Sequence, residues 1–326
     1  MVDARTSLTG PFPRPEAVVA ATRDLDRGRA TGESVETAYR TAEAELLALE
    51  RRHGLSPVTG GYLRWPDLFR PFAENWPGFE VGPLTRWFET NTFYRQPVLR
   101  SPPERRPGAL APWLPAAAGL ATAAESKLIF PGPYTFAGLL DNQSGETPVS
   151  LIHRLGRLLA DELAELRTQG YTSVQFQEPL LTTRPPEGPA AESVRAAYRA
   201  IAEAAGPAET VVWTYFGDAA PVFPLLASLP VGAVGVDLAE TEPAALRGAH
   251  GLAGLGFGCI DPRTTLVEDP TELAGIVRRT AERLGARSVL LGPGAALDLL
   301  PWEAAVRKLA LLPAARSALA HAEKPT

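Results

Sequence analysis

The chain has 326 residues, 45% of them hydrophobic and 21% charged, with a formal net charge of −5. This is ample apolar material for a large core, and α/β barrels routinely reach this length as one unit. The acidic balance offers no basic field for nucleic acid, and no apolar run reaches bilayer-spanning length. The opening MVDARTSLTGPFPRP lacks the apolar stretch of a secretion signal, so a cytoplasmic protein with no nucleic-acid and no membrane partner is expected. Cys259 is the only cysteine, which excludes an internal disulfide and any site needing two thiolates from one chain. His53, His153, His250 and His321 are scattered, without the close spacing of a helical metal motif.

In chain order, Thr6–Thr9 reads as a first short strand, then a Gly/Pro turn, then a helix over 34–53 and a second strand at Pro57–Leu63. An aromatic-rich excursion over 77–99 and a Pro-, Arg- and Ala-rich surface loop over 100–123 interrupt the rhythm. Strand patterns then return at Leu128–Phe130, Thr172–Phe176, Thr210–Phe216, Ala233–Leu238, Leu252–Ile260 and Ser288–Leu291. Between them lie helices. In Ser150–Gly170 the residues Leu151, Ile152, Leu155, Leu158, Leu159, Leu163 and Leu166 fall on one stripe, the spacing of an amphipathic helix, and Gly170 supplies a stop. Further helices fit 190–205, 241–249, 271–285 and 302–320, the last opened by Pro301, which suits a first-turn position. Strands alternating with helices imply right-handed βαβ units and a parallel sheet. Eight such units predict one α/β domain over 1–326, a (β/α)8 TIM barrel with an aromatic-rich insertion after the second strand. An open doubly wound sheet is the alternative, but the first turn carries no GxGxxG.

Several segments in order resemble the cobalamin-independent methionine synthase family: TGPFPRP at 9–15, RWFETNTFY at 86–94, FPGPYTF at 130–136, VQFQEPLL at 174–181, TYFGD at 214–218 and GPGAALDLLPW at 292–302. The most distinctive of these words are similar to the family's zinc-free amino-terminal barrel. The resemblance implies a TIM barrel connected with methyl transfer to homocysteine, in which zinc binds the thiol and lowers its pKa. It places the family's four zinc ligands on Trp213, Tyr215, Asp237 and Ala295. Indole, phenol and methyl are poor replacements in a zinc shell, so no metal and no cofactor are expected; folate or zinc would return only if this placement fails. Where the family has an aspartate before Glu-Pro, the chain has Gln177, an amide that gives up the charge-assisted part of a contact with an ammonium.

Barrel enzymes keep their sites at the carboxyl ends of the strands. There the sequence offers Glu178, Asp237 and Tyr215 as candidate acid, base or proton-transfer groups, and Gln177, Trp213, Asp218, Glu240, Cys259 and Asp261 as pocket residues, with Arg14 and Arg64 as sites for an anionic tail. Each carboxylate could equally serve a structural ion-pair network, and Cys259 reads more readily as a small apolar filler than as a nucleophile. The aromatic group Trp65, Trp76, Trp87, Phe88, Phe93 and Tyr94 fits packing under the excursion, a contact surface, or a stack for a flat ring. Three functions follow. One is an accessory barrel partnered by a separate zinc-bearing methionine synthase barrel. Another is a metal-independent enzyme whose pocket has been repurposed for a small-molecule ligand, with acid/base or lyase chemistry. The third is a divergent homocysteine methyltransferase, which must work without metal on a thiol of pKa about 8.5.

Overall fold

The structure, a computed structural model, describes residues 3–247 and 253–321. In chain order it runs β1 (Asp3–Thr6), α1 (Glu16–Asp26), α2 (Gly32–Arg52), α3 (Arg70–Asn75), β2 (Phe79–Arg86), β3 (Phe93–Leu99), β4 (Lys127–Pro131), α4 (Pro133–Leu139) and β5 (Asp141–Asn142). It continues with α5 (Pro148–Thr168), β6 (Ser173–Gln177), α6 (Pro179–Thr183), α7 (Gly188–Ala205), β7 (Glu209–Trp213), α8 (Phe223–Ala227), β8 (Ala233–Asp237), β9 (Gly254–Ile260), α9 (Pro270–Leu284), β10 (Ser288–Pro293), α10 (Trp302–Leu309) and α11 (Leu311–His321). Seven strands form a parallel sheet in the order β1-β10-β9-β8-β7-β6-β4. The helices start where the sequence supplies caps. Thr147 accepts from the Ser150 N–H ahead of α5, and Asp269 accepts from the N–H groups of Thr271 and Glu272 ahead of α9, each satisfying donors that the first helical turn leaves open.

The eighth barrel position is reduced. Instead of a strand over Pro57–Leu63, the segment makes a single parallel bridge between Val58 and Ser126 and a 3-10 turn at Gly60–Tyr62. It nevertheless closes the ring: Ser56 N–H donates to Thr6 O at 2.8 Å, Val58 N–H to Glu125 O at 2.9 Å, and Lys127 N–H to Val58 O at 2.8 Å. Pro57 has no N–H for a ladder, and Gly60 and Gly61 take φ of 62° and 67°, which ends the extended run at once. The helix expected over 241–249 is a short 3-10 turn, Pro243–Ala245. Leu246 is already extended (φ −62°, ψ 123°) and ends the turn, and Arg283 of α9 donates to Leu246 O at 2.9 Å and Pro243 O at 2.5 Å. The end of that expected helix, His250 and the first residue of the strand expected at Leu252–Ile260 lie outside the described residues. The helix expected over 302–320 is divided into α10 and α11.

The aromatic-rich insertion is an antiparallel hairpin, β2 against β3, with β5 added parallel to β3. The loop over 100–123 is irregular, as expected, and it buries Leu110 and Leu114.

Side chains alternate along each strand, and the inward set at the carboxyl half of the barrel is unusual. Trp213 of β7 is fully buried and lies across the lumen. Opposite it β8, β9 and β10 present Gly235, Gly256 and Gly292; a Cβ at Gly235 or Gly256 would overlap the indole ring, and one at Gly292 would come within 3.6 Å of it. The indole N–H donates to Gly294 O at 2.9 Å. Below this layer Lys127 donates to Gln175 Oε1 at 2.9 Å and Gln175 donates to Thr9 O at 2.8 Å. Burial pushes the Lys127 ammonium down to about 7, against the attraction of Glu209 and Glu50.

Gly235→Ala should therefore destabilise the protein by about 1–3 kcal/mol, the usual cost of overpacking. The same change in a Trp213→Leu background should cost at least 1 kcal/mol less, roughly, because the ring it meets is gone. Denaturant melts of the four proteins in the cycle check this.

Candidate functional site

A small cleft of ≈ 70 Å³ lies between the carboxyl ends of the strands and the hairpin. Gln177, Tyr215 and Phe216 come from the ends of β6 and β7, and Ala296 and Asp298 from the turn after β10. Trp87, Thr92, Phe93 and Tyr94 come from the hairpin tip, and Trp65 forms a further wall. The insertion thus covers the barrel mouth. An aromatic chain links the two parts: Trp87 packs on Tyr94 (5.5 Å between centroids), Trp87 on Phe88 (4.9 Å), Phe88 on Phe216 (5.3 Å) and Phe216 on Tyr215 (4.7 Å). Phe88 and Phe216 both hold positive φ, 48° and 65°, a left-handed conformation that costs a non-glycine residue about 1–3 kcal/mol and persists where surrounding packing enforces it.

The polar groups facing the cleft are few. The Gln177 side-chain amide donates to Thr9 O, which fixes its orientation, while its Oε1 is buried with no partner among the described residues. Asp298 opens onto the cleft. The carboxyl is exposed to cleft water, and the nearby Arg14 guanidinium favours its charged form. Tyr215 is held well above the usual phenol value, by burial first and then by the carboxylates of Asp298 and Glu178. Asp67 also lines the cleft, but its oxygens accept from the N–H groups of Phe69, Arg70 and Arg95, tying α3 to β3.

The residues singled out from the sequence occupy several environments. Gln177 and Tyr215 line the cleft, and Trp213 fills the lumen beneath it. Glu178 follows the inward Gln177 and points into the helix layer. Its oxygens accept from the N–H groups of Tyr134 (3.1 Å) and Thr135 (2.7 Å) and the hydroxyl of Tyr198 (3.1 Å), so it caps α4 and pins α7. Only a glycine fits at Gly132, where a Cβ would overlap this carboxylate. Burial pushes Glu178 up to about 7 despite these bonds.

Asp237, Glu240 and Asp261 come together around Arg263, which the sequence reading did not name. Arg263 lies 3.4 Å from Asp237 Oδ2 and 2.7 Å from Asp261 Oδ1 and also pairs with Glu240. The contact with Asp237 is ionic only, since that oxygen has no hydrogen-bond partner among the described residues. Burial raises Asp237 to about 6, with Arg263 opposing. Cys259 alternates with the inward glycines of β9 and so faces the helix layer, 3.6 Å from Gly292 O; burial pushes its thiol up to about 12. Asp218 is exposed and accepts from the Ala220 N–H at 2.9 Å. Arg14 donates to Leu63 O and Trp65 O at 2.7 and 3.0 Å. Arg64 pairs with Glu36 and Glu43 at 2.7 Å each.

Of the expected aromatic group, Trp76 belongs to the core, while Trp65, Trp87, Phe93 and Tyr94 line the cleft. Asp298 was missed. Its one sequence signal is a lone carboxylate in an otherwise apolar run, AALDLLPW. The positions matched to zinc ligands do converge: Trp213, Tyr215 and Ala295 share one buried cluster, and Asp237 lies against the neighbouring Gly294.

A parallel barrel closed by eight segments, with a cleft at the carboxyl ends of its strands, places the chain among TIM-barrel proteins. The model of the cobalamin-independent synthase family, N-terminal domain, matches residues 79–285, and the chain belongs to that family. It is 26% identical over 310 residues to a methionine synthase of Saccharolobus solfataricus, covering 93% of this chain and 91% of that protein. It is 26% identical over 308 residues to a methionine synthase of Sulfurisphaera tokodaii, covering 93% and 89%. Among solved structures it is similar to a B12-independent methionine synthase of Shewanella sp. W3-18-1 in complex with selenomethionine, with TM-score 0.75, 18% identity and 96% of each chain covered. A putative B12-independent methionine synthase of Listeria monocytogenes gives TM-score 0.70 and 16% identity, covering 95% and 96%. No helix among the described residues is long and apolar enough to cross a membrane.

Burial holds Glu50 and Glu178 protonated up to about 7, whereas in the unfolded chain each ionises near 4.3. Between these values the folded state binds more protons than the unfolded state, so stability falls as pH rises. Denaturant midpoints should drop between pH 5 and pH 7.5 by the equivalent of about 2 kcal/mol for each group, and Glu178→Gln should remove about half of that drop.

Proposed function

We propose that this chain is a methionine-synthase-type barrel that works in methyl-transfer metabolism without activating a thiol on zinc, as the companion of a separate zinc-bearing barrel. The observation that carries the reading is Trp213. Its indole occupies the lumen at a position matched to a zinc ligand, and its N–H is spent on Gly294 O. Indole nitrogen offers no lone pair to a metal. At the other matched positions the chain offers a buried phenol, a methyl group and Asp237, whose charge is shared with Arg263. Cys259 faces the opposite side of β9. This donor set does not suit zinc, which takes thiolate, imidazole and carboxylate in a tetrahedral shell. No groups of three or more His, Cys, Asp or Glu that could hold a metal ion occur among the described residues. Without zinc, the fraction of a homocysteine thiol that is ionised at neutral pH is a few per cent at most, by its pKa of about 8.5.

A second reading, a metal-independent enzyme with its own small-molecule substrate, is favoured by the cleft. An unpartnered buried amide oxygen and an ionisable carboxyl facing the same space suit ligand binding better than a vestigial surface.

Elemental analysis of the dialysed protein, followed by zinc add-back, should give zinc far below one ion per chain and no tight titration. Near-stoichiometric tight zinc would sink the zinc-free reading. Mixed with a separately produced zinc-bearing methionine synthase barrel from the same genome, the chain should co-elute on gel filtration and raise its methyl transfer. Independent elution with unchanged activity would leave the second reading in its place.

A further inference from the structure

The chemistry of the cleft is one-sided. Among the described residues its lining contains two charged residues, Asp67 and Asp298, and no lysine, arginine or histidine. Asp67 spends its oxygens on three backbone N–H groups. Asp298 forms no ion pair among the described residues; apart from its own N–H, no group bonds its carboxylate. Arg14, the cation that acts on it electrostatically, is fixed by Leu63 O and Trp65 O and does not line the cleft. The second uncommitted group is Gln177 Oε1, buried, without a partner, and held by the bond from the same amide to Thr9 O. The Tyr215 hydroxyl and the Trp87 indole N–H also line the cleft without a partner among the described residues, so neutral donors are present, but the one uncommitted charge is negative. The walls are aromatic, from Trp65, Trp87, Phe93, Tyr94, Tyr215 and Phe216.

We propose that the cleft beneath the hairpin binds a protonated amine carried on a flat or apolar body, with Asp298 as counter-ion, Gln177 Oε1 accepting from the ammonium, and the aromatic walls packing on the remainder. Aromatic faces attract cations, and a carboxylate in a partly desolvated cleft strengthens an N–H bond to a cation. A carboxylate-bearing ligand would meet the Asp298 charge and, among the described lining residues, no positive charge. The cleft therefore selects an organic cation over a zwitterionic amino acid or a polyanionic tail. A binding-only cleft and a catalytic one share this chemistry, so the inference stands whether the barrel acts beside a partner or alone.

The test is titration calorimetry of the full chain with phenethylammonium, 3-phenylpropionate, phenylalanine and phenethyltrimethylammonium, with Trp65 and Trp87 providing a fluorescence readout. Phenethylammonium should bind saturably, and the other three at least tenfold more weakly, a difference of about 1.4 kcal/mol. Asp298→Asn should weaken phenethylammonium by a similar factor while Asp298→Glu retains more of the affinity, with thermal melts confirming that both variants fold. Equal or tighter binding of 3-phenylpropionate or phenylalanine overturns the proposal. So does an unchanged affinity in a folded Asp298→Asn protein, or the absence of saturable phenethylammonium binding. Equal binding of the trimethyl analogue overturns the role given to Gln177.

Discussion

The contact on which the carboxyl half of the barrel depends is between one indole and a set of inward glycines. In most barrels of this kind the lumen is filled by layers of medium-sized branched side chains from alternate strands. Here β7 supplies Trp213, and β8 and β9 withdraw to Gly235 and Gly256 to make room for it, while Gly292 of β10 touches the ring and leaves its space to Thr9. A large rigid group against bare backbone fills the space as well as several smaller ones would, but it ties four strands to one side chain. It also decides what the barrel mouth can hold. A ring lying across the axis, with its N–H bonded to Gly294 O, makes a floor, and any ligand must sit above that floor.

Above the floor the inserted hairpin supplies the rest of the enclosure. β2 pairs with β3, and β3 with β5, so the hairpin is a separate small sheet leaning over the strand ends. It is held there by aromatic packing from Trp87 and Phe88 to Phe216. The two left-handed phenylalanines, Phe88 and Phe216, meet at this junction. Backbone strain of this kind is tolerated where packing over-determines the geometry, and it identifies the junction as a built wall.

The charged residues at the strand ends divide by direction. Those that follow an inward position by one residue, such as Glu178, turn outward and serve the helix layer; Glu178 caps α4 and binds Tyr198 of α7. Asp237 faces inward but is drawn to Arg263 with Glu240 and Asp261. Among the described residues, the one charge that lines the cleft uncommitted is that of Asp298. This division explains how a chain can keep many carboxylates at its strand ends while offering a ligand only one.

The sequence by itself determined the alternation of strands and helices, hence the parallel barrel, because hydrophobic periodicity and Gly/Pro punctuation are local signals. It also determined the family, through ordered words such as RWFETNTFY and VQFQEPLL, and it located the insertion. It over-read Pro57–Leu63, where one proline and two left-handed glycines reduce a strand to a bridge, and 241–249, where an extended Leu246, bonded by Arg283 from a distant helix, ends the turn. Only the tertiary structure decided which strand-end side chains face the cleft. A one-residue step along a strand reverses a side chain's direction, so Gln177 and Glu178 look alike in sequence and point to opposite layers. Asp298 reaches the cleft through a turn whose path depends on its contact with Pro11, a partner nearly the whole chain away. Direction and long-range contact are properties of the packed barrel, and no local pattern encodes them.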